Sequence, residues 1–239
     1  MTSASCNQLL LALSKFDLKL LQPYLRKTLF QQGLILYEQD HQIQYCYFPT
    51  EGMVSLVAVL EDGSSIELAA IGREGVVGAS LAHGTGQAAM RAIVQVAGKG
   101  WRIEVGKFHS ALLQSASLRA VIGHHNEALL AQLVRTVACN ARHPAEARLC
   151  KWLLMVRDRI DSDVIQLTQE FLGQMLGVQR TTVTLVARSL QSIGLIRYRR
   201  GYIEILDRDG VEEAACECYE MNRRFFNQLL GLRPADQSR

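Results

Sequence analysis

A single glycine, Gly177, separates two short helical patterns in the segment from residue 164 to residue 205, and this break strongly limits the folds open to the chain. Thr168 predicts the start of the first helix, because its hydroxyl can accept a hydrogen bond from a free backbone N–H of the first turn. That helix is expected to end near Leu176, with Gly177 as the tight turn. A second helix is predicted over 179–192. The pattern indicates a helix-turn-helix, the unit whose second helix can enter the major groove of DNA.

The two faces of the second predicted helix differ in chemistry when successive residues are placed about 100° apart. One face is apolar and is expected to pack inward: Val183, Val186, Ala187 and Leu190. The opposite face carries the candidate DNA contacts: Arg180, Thr181, Thr184, Leu185 and Arg188. Arginine can bind a guanine edge bidentately, a threonine hydroxyl can bond to a base or phosphate, and an apolar group can contact a thymine methyl. We therefore expect Arg180, near the helix N-terminus, to read a base.

Residues 195–205 predict a wing beside that helix, because two short strands flank a turn at Arg200-Gly201. Five arginines and no acidic residue lie between Gln179 and Ile203: Arg180, Arg188, Arg197, Arg199 and Arg200. The whole chain has a formal net charge of only +3, so the remaining sequence carries a small negative charge. Positive charge concentrated in one short segment is what binding to phosphates requires.

The first half of the chain has the pattern of β structure from about Thr28 to Val105, after a helical stretch over about 6–27 that Pro23 interrupts. Short apolar runs alternate with glycine or acidic turns, and Asp62-Gly63 is a strong hairpin signal. The predicted strands cover residues 34–37, 45–48, 53–59, 66–70, 91–96 and 100–105. Many short strands with frequent turns predict a β-sandwich or roll.

A continuous helical pattern without proline follows from about Lys107 to Asn140. Its apolar stripe consists of Leu118, Val121, Ile122, Leu129, Leu130, Leu133 and Val137. A helix of about 30 residues is roughly 45 Å long, which exceeds what a small β domain needs for its own core. The surplus apolar surface predicts a partner helix from a second copy of the chain, and hence a homodimer. The alternative is a kinked helix that folds back onto its own domain.

Residues 167–183, with the sequence LTQEFLGQMLGVQRTTV, resemble the helix-turn-helix of the Crp/Fnr family of bacterial transcription regulators, as does the Leu195-Ile196 step into the wing. The order of parts is also similar, with His143-Pro144 as a hinge before the last unit. The resemblance implies an α+β fold: an N-terminal β-roll like a cyclic-nucleotide-binding jelly roll, a long dimerisation helix and a C-terminal winged helix-turn-helix. The expected boundaries are 1–108 for the β-roll sensor domain, 109–142 for the dimerisation helix and hinge, and 143–239 for the winged-helix DNA-binding domain.

The resemblance also assigns DNA contacts by position. It implies phosphate contacts from the wing and from three further polar residues: Thr168, Gln169 and Gln179. Base contacts are implied for Arg180 and its neighbours. Arg180 and Thr182 match the family pattern, whereas Thr181 stands where a glutamate is frequent and Leu185 where an arginine is common, so the half-site is expected to differ from the usual family one. The implied partners are double-stranded DNA, a second copy of the chain, RNA polymerase and a small-molecule effector.

The candidate effector pocket departs from the cAMP-binding members of the family; its residues are Gly78, Ala79, Ser80 and Arg91. Those members hold the ribose and cyclic phosphate with a Gly-Glu pair and a later Arg-Ser or Arg-Thr pair. Here Ala79 replaces the glutamate, Ala92 follows Arg91, and Leu133-Val134 replace the polar pair that meets the base. A phosphate needs a cation and convergent donors. A signal other than cAMP is therefore expected.

Two other cofactors are not expected either. The iron–sulfur branch of the family uses a tight N-terminal cysteine cluster, and here only Cys6 lies near the start. Haem ligands could come from His83 or from His124-His125, but a lone histidine is more often a surface or capped residue. The identity of the effector, and of any cofactor, stays open.

The six cysteines are predicted to be reduced thiols, and no metal site is predicted. None are spaced C-x-x-C, and a chain of 239 residues can fold without disulfides. Cys216 and Cys218, placed on one helix, would point about 200° apart. Cys139 and His143 are one helical turn apart and could hold a metal, but the sequence shows no two further obvious ligands.

The remaining function classes find little support in the sequence. Without a G-x-S-x-G, P-loop, H-E-x-x-H or dinucleotide motif, no enzymatic activity is predicted. The longest uncharged run, Gly75–Met90, is broken by four glycines and is too short for a membrane helix. The apolar run Leu9–Leu13 lacks the preceding basic residue of a secretory signal, so a cytoplasmic location is expected. One rival function stays open: a ligand-sensing module whose C-terminal domain docks a protein instead of DNA.

Overall fold

A computed structural model describes residues 7–79, 86–167, 169–199 and 201–229, with the backbone alone for Gln169 and Glu170. Several residues singled out in the sequence lie outside the described residues: Cys6, Ser80, His83, Thr168 and Arg200. The predicted α+β class is confirmed, with an N-terminal antiparallel sheet, a long helix and a C-terminal helix-turn-helix unit. None of the helices in these ranges is long and apolar enough to cross a membrane.

Within the part of the chain that the structure describes, five strands form the N-terminal sheet: β1 (Arg26–Phe30), β2 (Ile35–Tyr37), β3 (Tyr45–Val59), β4 (Ser65–Ile71) and β5 (Arg91–Glu104). Their order is β1-β5-β3-β4, and β2 also pairs with β5. Alternate residues of the central strands point into an apolar core, as the period of two requires; among them Val54, Leu56, Ala92 and Val94 are almost fully buried.

Two predicted strand breaks are wrong, because β3 and β5 run unbroken through residues that usually end a strand. β3 passes through Pro49 and Gly52, where shifts in its register against β5 accommodate them as bulges. Gly52 has φ +83°, and a Cβ there would lie 2.5 Å from the carbonyl oxygen of Val96. The glycine therefore preserves the strand by letting the two backbones approach each other.

The N-terminal helical pattern divides into α1 (Gln8–Ala12), α2 (Lys15–Leu21) and a 3₁₀ turn over Gln22–Tyr24. The prediction of helix to about residue 27 is too long, because Pro23 lies in that turn and β1 begins at Arg26. Asp17 of α2 is almost fully buried and accepts hydrogen bonds from the hydroxyls of Ser14 and Ser117, at 2.7 and 2.8 Å, and of Ser115. This carboxylate ties α2 to the helices that follow the sheet.

The single helix predicted over 107–140 is two helices, α3 (Val105–Gln114) and α4 (Ala116–Arg142). They meet at Ser115, whose backbone is extended and whose hydroxyl caps α4 by accepting from the N–H of Leu118 at 3.1 Å. The same hydroxyl donates to Asp17. The break therefore depends on a residue far away in the sequence. α4 still has 27 residues, about 40 Å.

The C-terminal part follows α4 after His143, and its described residues form three strands and five helices: α5 (Ala145–Ile160), β6 (Val164–Gln166), α6 (Gln169–Leu176), α7 (Arg180–Ser192), β7 (Ile196–Arg199), β8 (Tyr202–Ile205), α8 (Arg208–Ala214) and α9 (Cys218–Leu229). The strands pair in the order β6-β8-β7. One core joins these elements, and it includes Trp152, Leu153 and Leu190. The last helix, α9, returns to α4, where Phe226 packs against Ala128.

The glycine-rich loop over residues 72–75 connects the β-roll to the C-terminal end of α5 through ion pairs and hydrogen bonds. Arg159 donates to Glu74 at 2.6 Å, and both side chains are largely buried. Arg73 pairs with Asp161 and donates to the carbonyl of Asp158 at 2.6 Å. These contacts position the C-terminal part against the sheet.

Candidate functional site

The turn between α6 and α7 has the geometry that the sequence predicts. Gly177 has φ +60°, and its N–H donates to the carbonyl of Gln174 at 3.3 Å. The N–H of Val178 donates to the carbonyl of Gly173 at 3.0 Å, which closes the turn. α7 then begins at Arg180, with Gln179 as an extended N-cap. The predicted helix pair is confirmed.

The inward face of α7 is also as predicted. Val183, Ala187 and Leu190 are buried; Val183 and Leu190 belong to the core of the C-terminal part, and the half-buried Val186 packs against that core. Gln191 of the same helix accepts from the N–H of Tyr198 at 2.7 Å. That bond joins α7 to β7 and so holds the wing beside the helix.

The outward face of α7 is open along its length. Arg180, Thr181 and Arg188 are exposed, and 67% of the surface of Leu185 is accessible to solvent. Thr182 and Thr184 are half-buried, and the hydroxyl of Thr184 donates to the carbonyl of Arg180 at 3.1 Å. Thr184 therefore offers its methyl and an oxygen lone pair, while its proton is used within the helix.

The wing is a hairpin of β7 and β8. It contains an acidic residue, Glu204, which lies one position beyond the arginine-rich segment 179–203. Arg197 lies opposite Glu204 in the register, and its Nη1 donates to Oε2 of Glu204 at 2.7 Å. Arg199 is exposed and has no acidic partner among the described residues. The positive charge of the wing is therefore smaller than the count of arginines implies. The turn predicted from the sequence at Arg200-Gly201 pairs Arg197 with Glu204 when residues are counted back from it, so the sequence could have revealed this ion pair.

The two other predicted phosphate contacts that the structure describes lie at helix starts. Gln169 is the first residue of α6, and Gln179 is exposed just before α7, where its side chain makes no capping bond. Backbone N–H groups at helix N-termini favour anions such as phosphate. Both positions therefore suit phosphate contacts.

Among the candidate effector residues that the structure describes, Gly78 and Ala79 have different surroundings from Arg91. Gly78 and Ala79 are buried, and Ala79 packs in an apolar cluster with Phe48. Arg91 instead pairs with Glu38, its Nε 2.7 Å from Oε2. Arg91 also lines an open cleft of ≈ 400 Å³ between the roll and α6, and among the described residues neither Gly78 nor Ala79 contributes to that cleft. Leu133 packs against the roll core, and Val134 is exposed.

One of the candidate haem histidines is part of the protein core. His125 is 1% exposed, and its Nε2 accepts from the N–H of Val76 at 3.2 Å. Burial lowers the pKa of His125 to about 4, so the neutral ring is the stable form near neutral pH. His124 is exposed on α4.

A group of metal-ligand side chains lies at the hinge, where the sequence predicts none: Cys139, His143, Cys216 and Cys218. The expectation that Cys216 and Cys218 diverge on one helix is wrong, because Cys216 lies in the link between α8 and α9 and only Cys218 belongs to a helix. A hydrogen bond from Cys216 and the charge of Lys151 hold the pKa of the Cys139 thiol well below its ordinary value, although burial opposes this.

Comparisons with known proteins agree with this architecture. Residues 27–115 match the sequence model of the cyclic nucleotide-binding domain, and residues 147–214 match that of the Crp-like helix-turn-helix domain. A search of curated proteins finds no significant match. Among solved structures, a Crp/Fnr-family regulator from Eubacterium rectale has a TM-score of 0.68 and 18% identity, covering 84% of this chain and 94% of its own.

Two further structures are similar. FixK2 from Bradyrhizobium japonicum has a TM-score of 0.67 and 15% identity, covering 80% of this chain and 98% of its own. A Crp/Fnr-family transcriptional regulator from Thermus thermophilus, TTHA1359, has a TM-score of 0.64 and 22% identity, covering 80% of this chain and 98% of its own. With a cyclic nucleotide-binding domain in its first half and a Crp-like helix-turn-helix domain in its second, the chain belongs to the Crp/Fnr family of transcriptional regulators.

Proposed function

We propose that the protein is a homodimeric, sequence-specific DNA-binding regulator that acts on a two-fold-symmetric site in the cytoplasm. The observation that carries this proposal is the outward face of α7, which presents Arg180, Thr181 and Leu185 beside the wing. These side chains offer bidentate, hydroxyl and apolar contacts to base edges in the major groove. RNA polymerase is the further partner expected at a promoter.

The proposed contacts divide into two kinds. Arg180 reads a guanine, and Thr181, Thr182 and Thr184 contact neighbouring bases or phosphates. The phosphate contacts come from residues around the helix starts and on the wing: Thr168, Gln169, Gln179, Arg188, Arg197, Arg199 and Arg200. Phosphate contacts set the register on DNA, whereas base contacts supply the specificity.

The second copy is expected on the outer face of α4. Leu130, Val134 and Val137 recur at intervals of four and three residues, and each keeps at least 60% of its surface exposed. Their spacing places them on one stripe, roughly 100° around the helix from residues such as Leu129 that pack on the roll. An apolar stripe on a helix of this length favours pairing with the same stripe of a second copy. We therefore retain 1–108, 109–142 and 143–239 as the sensor, dimerisation and DNA-binding segments.

The signal is proposed to be something other than cAMP. The position where cAMP-binding members have a glutamate is the buried Ala79, and Arg91 already has Glu38 as a partner. A cyclic phosphate at this place would lack convergent donors. A signal sensed in the roll would act through α4 and the hinge near His143, and so set the spacing of the two α7 helices.

Salt dependence tests DNA binding against the protein-docking alternative. Affinity for duplexes from a genomic promoter library is measured by fluorescence anisotropy at increasing salt. A DNA-binding dimer with several phosphate contacts loses affinity by orders of magnitude as salt rises from about 50 to 200 mM. Weak binding to every duplex at low salt, together with a flat salt response, would favour a domain that docks protein.

A further inference from the structure

Four side chains from separate places in the chain converge at the end of α4. Cys139 lies in the last turns of that helix, His143 caps it, Cys216 lies in the link between α8 and α9, and Cys218 begins α9. One ligand atom from each of the four lies within 4.8 Å of those of the other three. The three cysteines are almost fully buried. Residues more than 70 positions apart therefore form one compact donor set.

The spacing of the donor atoms fits a single tetrahedral ion. The Cys139 and Cys216 sulfurs are 3.5 Å apart, and the Cys218 sulfur is 3.7 Å from Nδ1 of His143. Bond lengths of about 2.3 Å for Zn–S and about 2.0–2.1 Å for Zn–N place tetrahedral ligand atoms roughly 3.6–3.8 Å apart. Three cysteines and one histidine are a usual ligand set for structural zinc, and they complete the tetrahedron without water.

The side chains around the donor set are also those that a zinc site needs. Nε2 of His143 lies 3.2 Å from Oε1 of Glu217, which leaves Nδ1 facing the sulfurs. A carboxylate behind the ligating ring orients it and makes it a stronger ligand. Nζ of Lys151, which is mostly buried, lies 3.5 Å from the sulfur of Cys139. Three thiolates, a neutral histidine and Zn²⁺ carry one net negative charge, which the lysine ammonium balances.

We propose that Cys139, His143, Cys216 and Cys218 bind one Zn²⁺ ion per chain. The ion fastens the end of α4 to the start of α9, directly before Pro144 and α5. It therefore fixes the connection between the long helix and the DNA-binding part. Glu217 positions His143, and Lys151 compensates the charge of the site.

The first experiment measures metal content and coordination in the full chain. The protein is purified under reducing conditions, and its bound zinc is quantified by inductively coupled plasma mass spectrometry. We expect one Zn²⁺ per chain, and replacement by Co²⁺ should give the visible d–d bands of a tetrahedral ion with thiolate charge transfer. No zinc uptake by the reduced protein would overturn the proposal. So would a Cys139–Cys216 disulfide without metal, or iron with acid-labile sulfide in place of zinc.

Variants assign the ligands independently of DNA binding. C216S should lose zinc and the cobalt spectrum, whereas C150S, which removes a buried cysteine of α5 outside the donor set, should keep both. E217Q changes an exposed side chain, so it should fold and bind zinc about 10–100-fold more weakly. Equal zinc affinity in wild type and E217Q would contradict the role of Glu217. A cobalt spectrum unchanged in C216S would contradict the site itself.

Discussion

Arg197 and Glu204 face each other across the wing hairpin, with Nη1 of the arginine 2.7 Å from Oε2 of the glutamate. This ion pair competes with DNA for the charge of Arg197. Arg199, two residues along the same strand, has no acidic partner among the described residues. The two arginines should therefore contribute unequally to DNA affinity.

Alanine substitutions test this inequality. R199A should weaken binding to all duplexes and reduce the slope of log affinity against log salt by about 1 per chain. R197A should have a smaller effect, and E204Q should strengthen binding because it releases the charge of Arg197. Anisotropy titrations at several salt concentrations measure all three. Equal losses of DNA affinity in R197A and R199A would contradict this prediction, because they would show that the Arg197–Glu204 ion pair does not weaken the contact of Arg197 with DNA.

The exposed apolar stripe on α4 predicts the oligomeric state. V134E introduces a charge in the middle of the stripe and should convert the dimer into a monomer, since a buried unpaired charge is strongly unfavourable at an interface. L113E, on an equally exposed leucine of α3, serves as the control and should remain dimeric. Analytical ultracentrifugation gives the mass of each variant. A wild type that sediments as one chain at micromolar concentration would refute the proposed dimer.

The buried pair of Arg159 and Glu74 should matter more to stability than the exposed pairs. E74A leaves the guanidinium of Arg159 in a largely buried position without its partner, which costs about 3–5 kcal/mol for a buried pair. D163A breaks the more exposed pair with Arg157 and should cost less than about 1 kcal/mol. Urea unfolding measures both changes. A similar small cost for both variants would mean that the loop at Glu74 does not hold the two parts together.

His125 should make the protein less stable in mild acid. Its pKa is about 4 in the folded chain and 6.5 without burial, so only the unfolded chain takes up the proton between these values. The stabilising contribution is complete above about pH 6.5 and is lost as the pH falls toward 4, by up to about 3 kcal/mol.

H125Q tests this pH dependence, because its side-chain oxygen can still accept from the N–H of Val76 but does not titrate. The difference in unfolding free energy between wild type and H125Q should narrow or reverse as the pH falls from 6.5 to 4. A difference that stays constant over this range would show that His125 has the same pKa in the folded and the unfolded chain, and would contradict this prediction.

The parts of the fold encoded by nearby residues could be predicted from the sequence. Gly177 and the apolar face through Val183 and Leu190 specify the helix pair within some 25 residues, and the structure agrees. The break at Ser115 could not be predicted, because its hydroxyl pairs with Asp17, 98 residues away. The same holds for the metal-ligand group, since Cys139 and Cys216 meet only when α9 returns to α4.

Recognition of DNA by α7 is tested most directly by selecting genomic promoter fragments with wild type and with R180A. Wild type should enrich a two-fold-symmetric sequence whose half-sites lie about one helical turn apart. R180A should still bind DNA in a salt-dependent way but lose the preference at one base pair of each half-site, by about 1–3 kcal/mol. Identical sequence preference in the two proteins would contradict the assignment of α7 as the recognition helix.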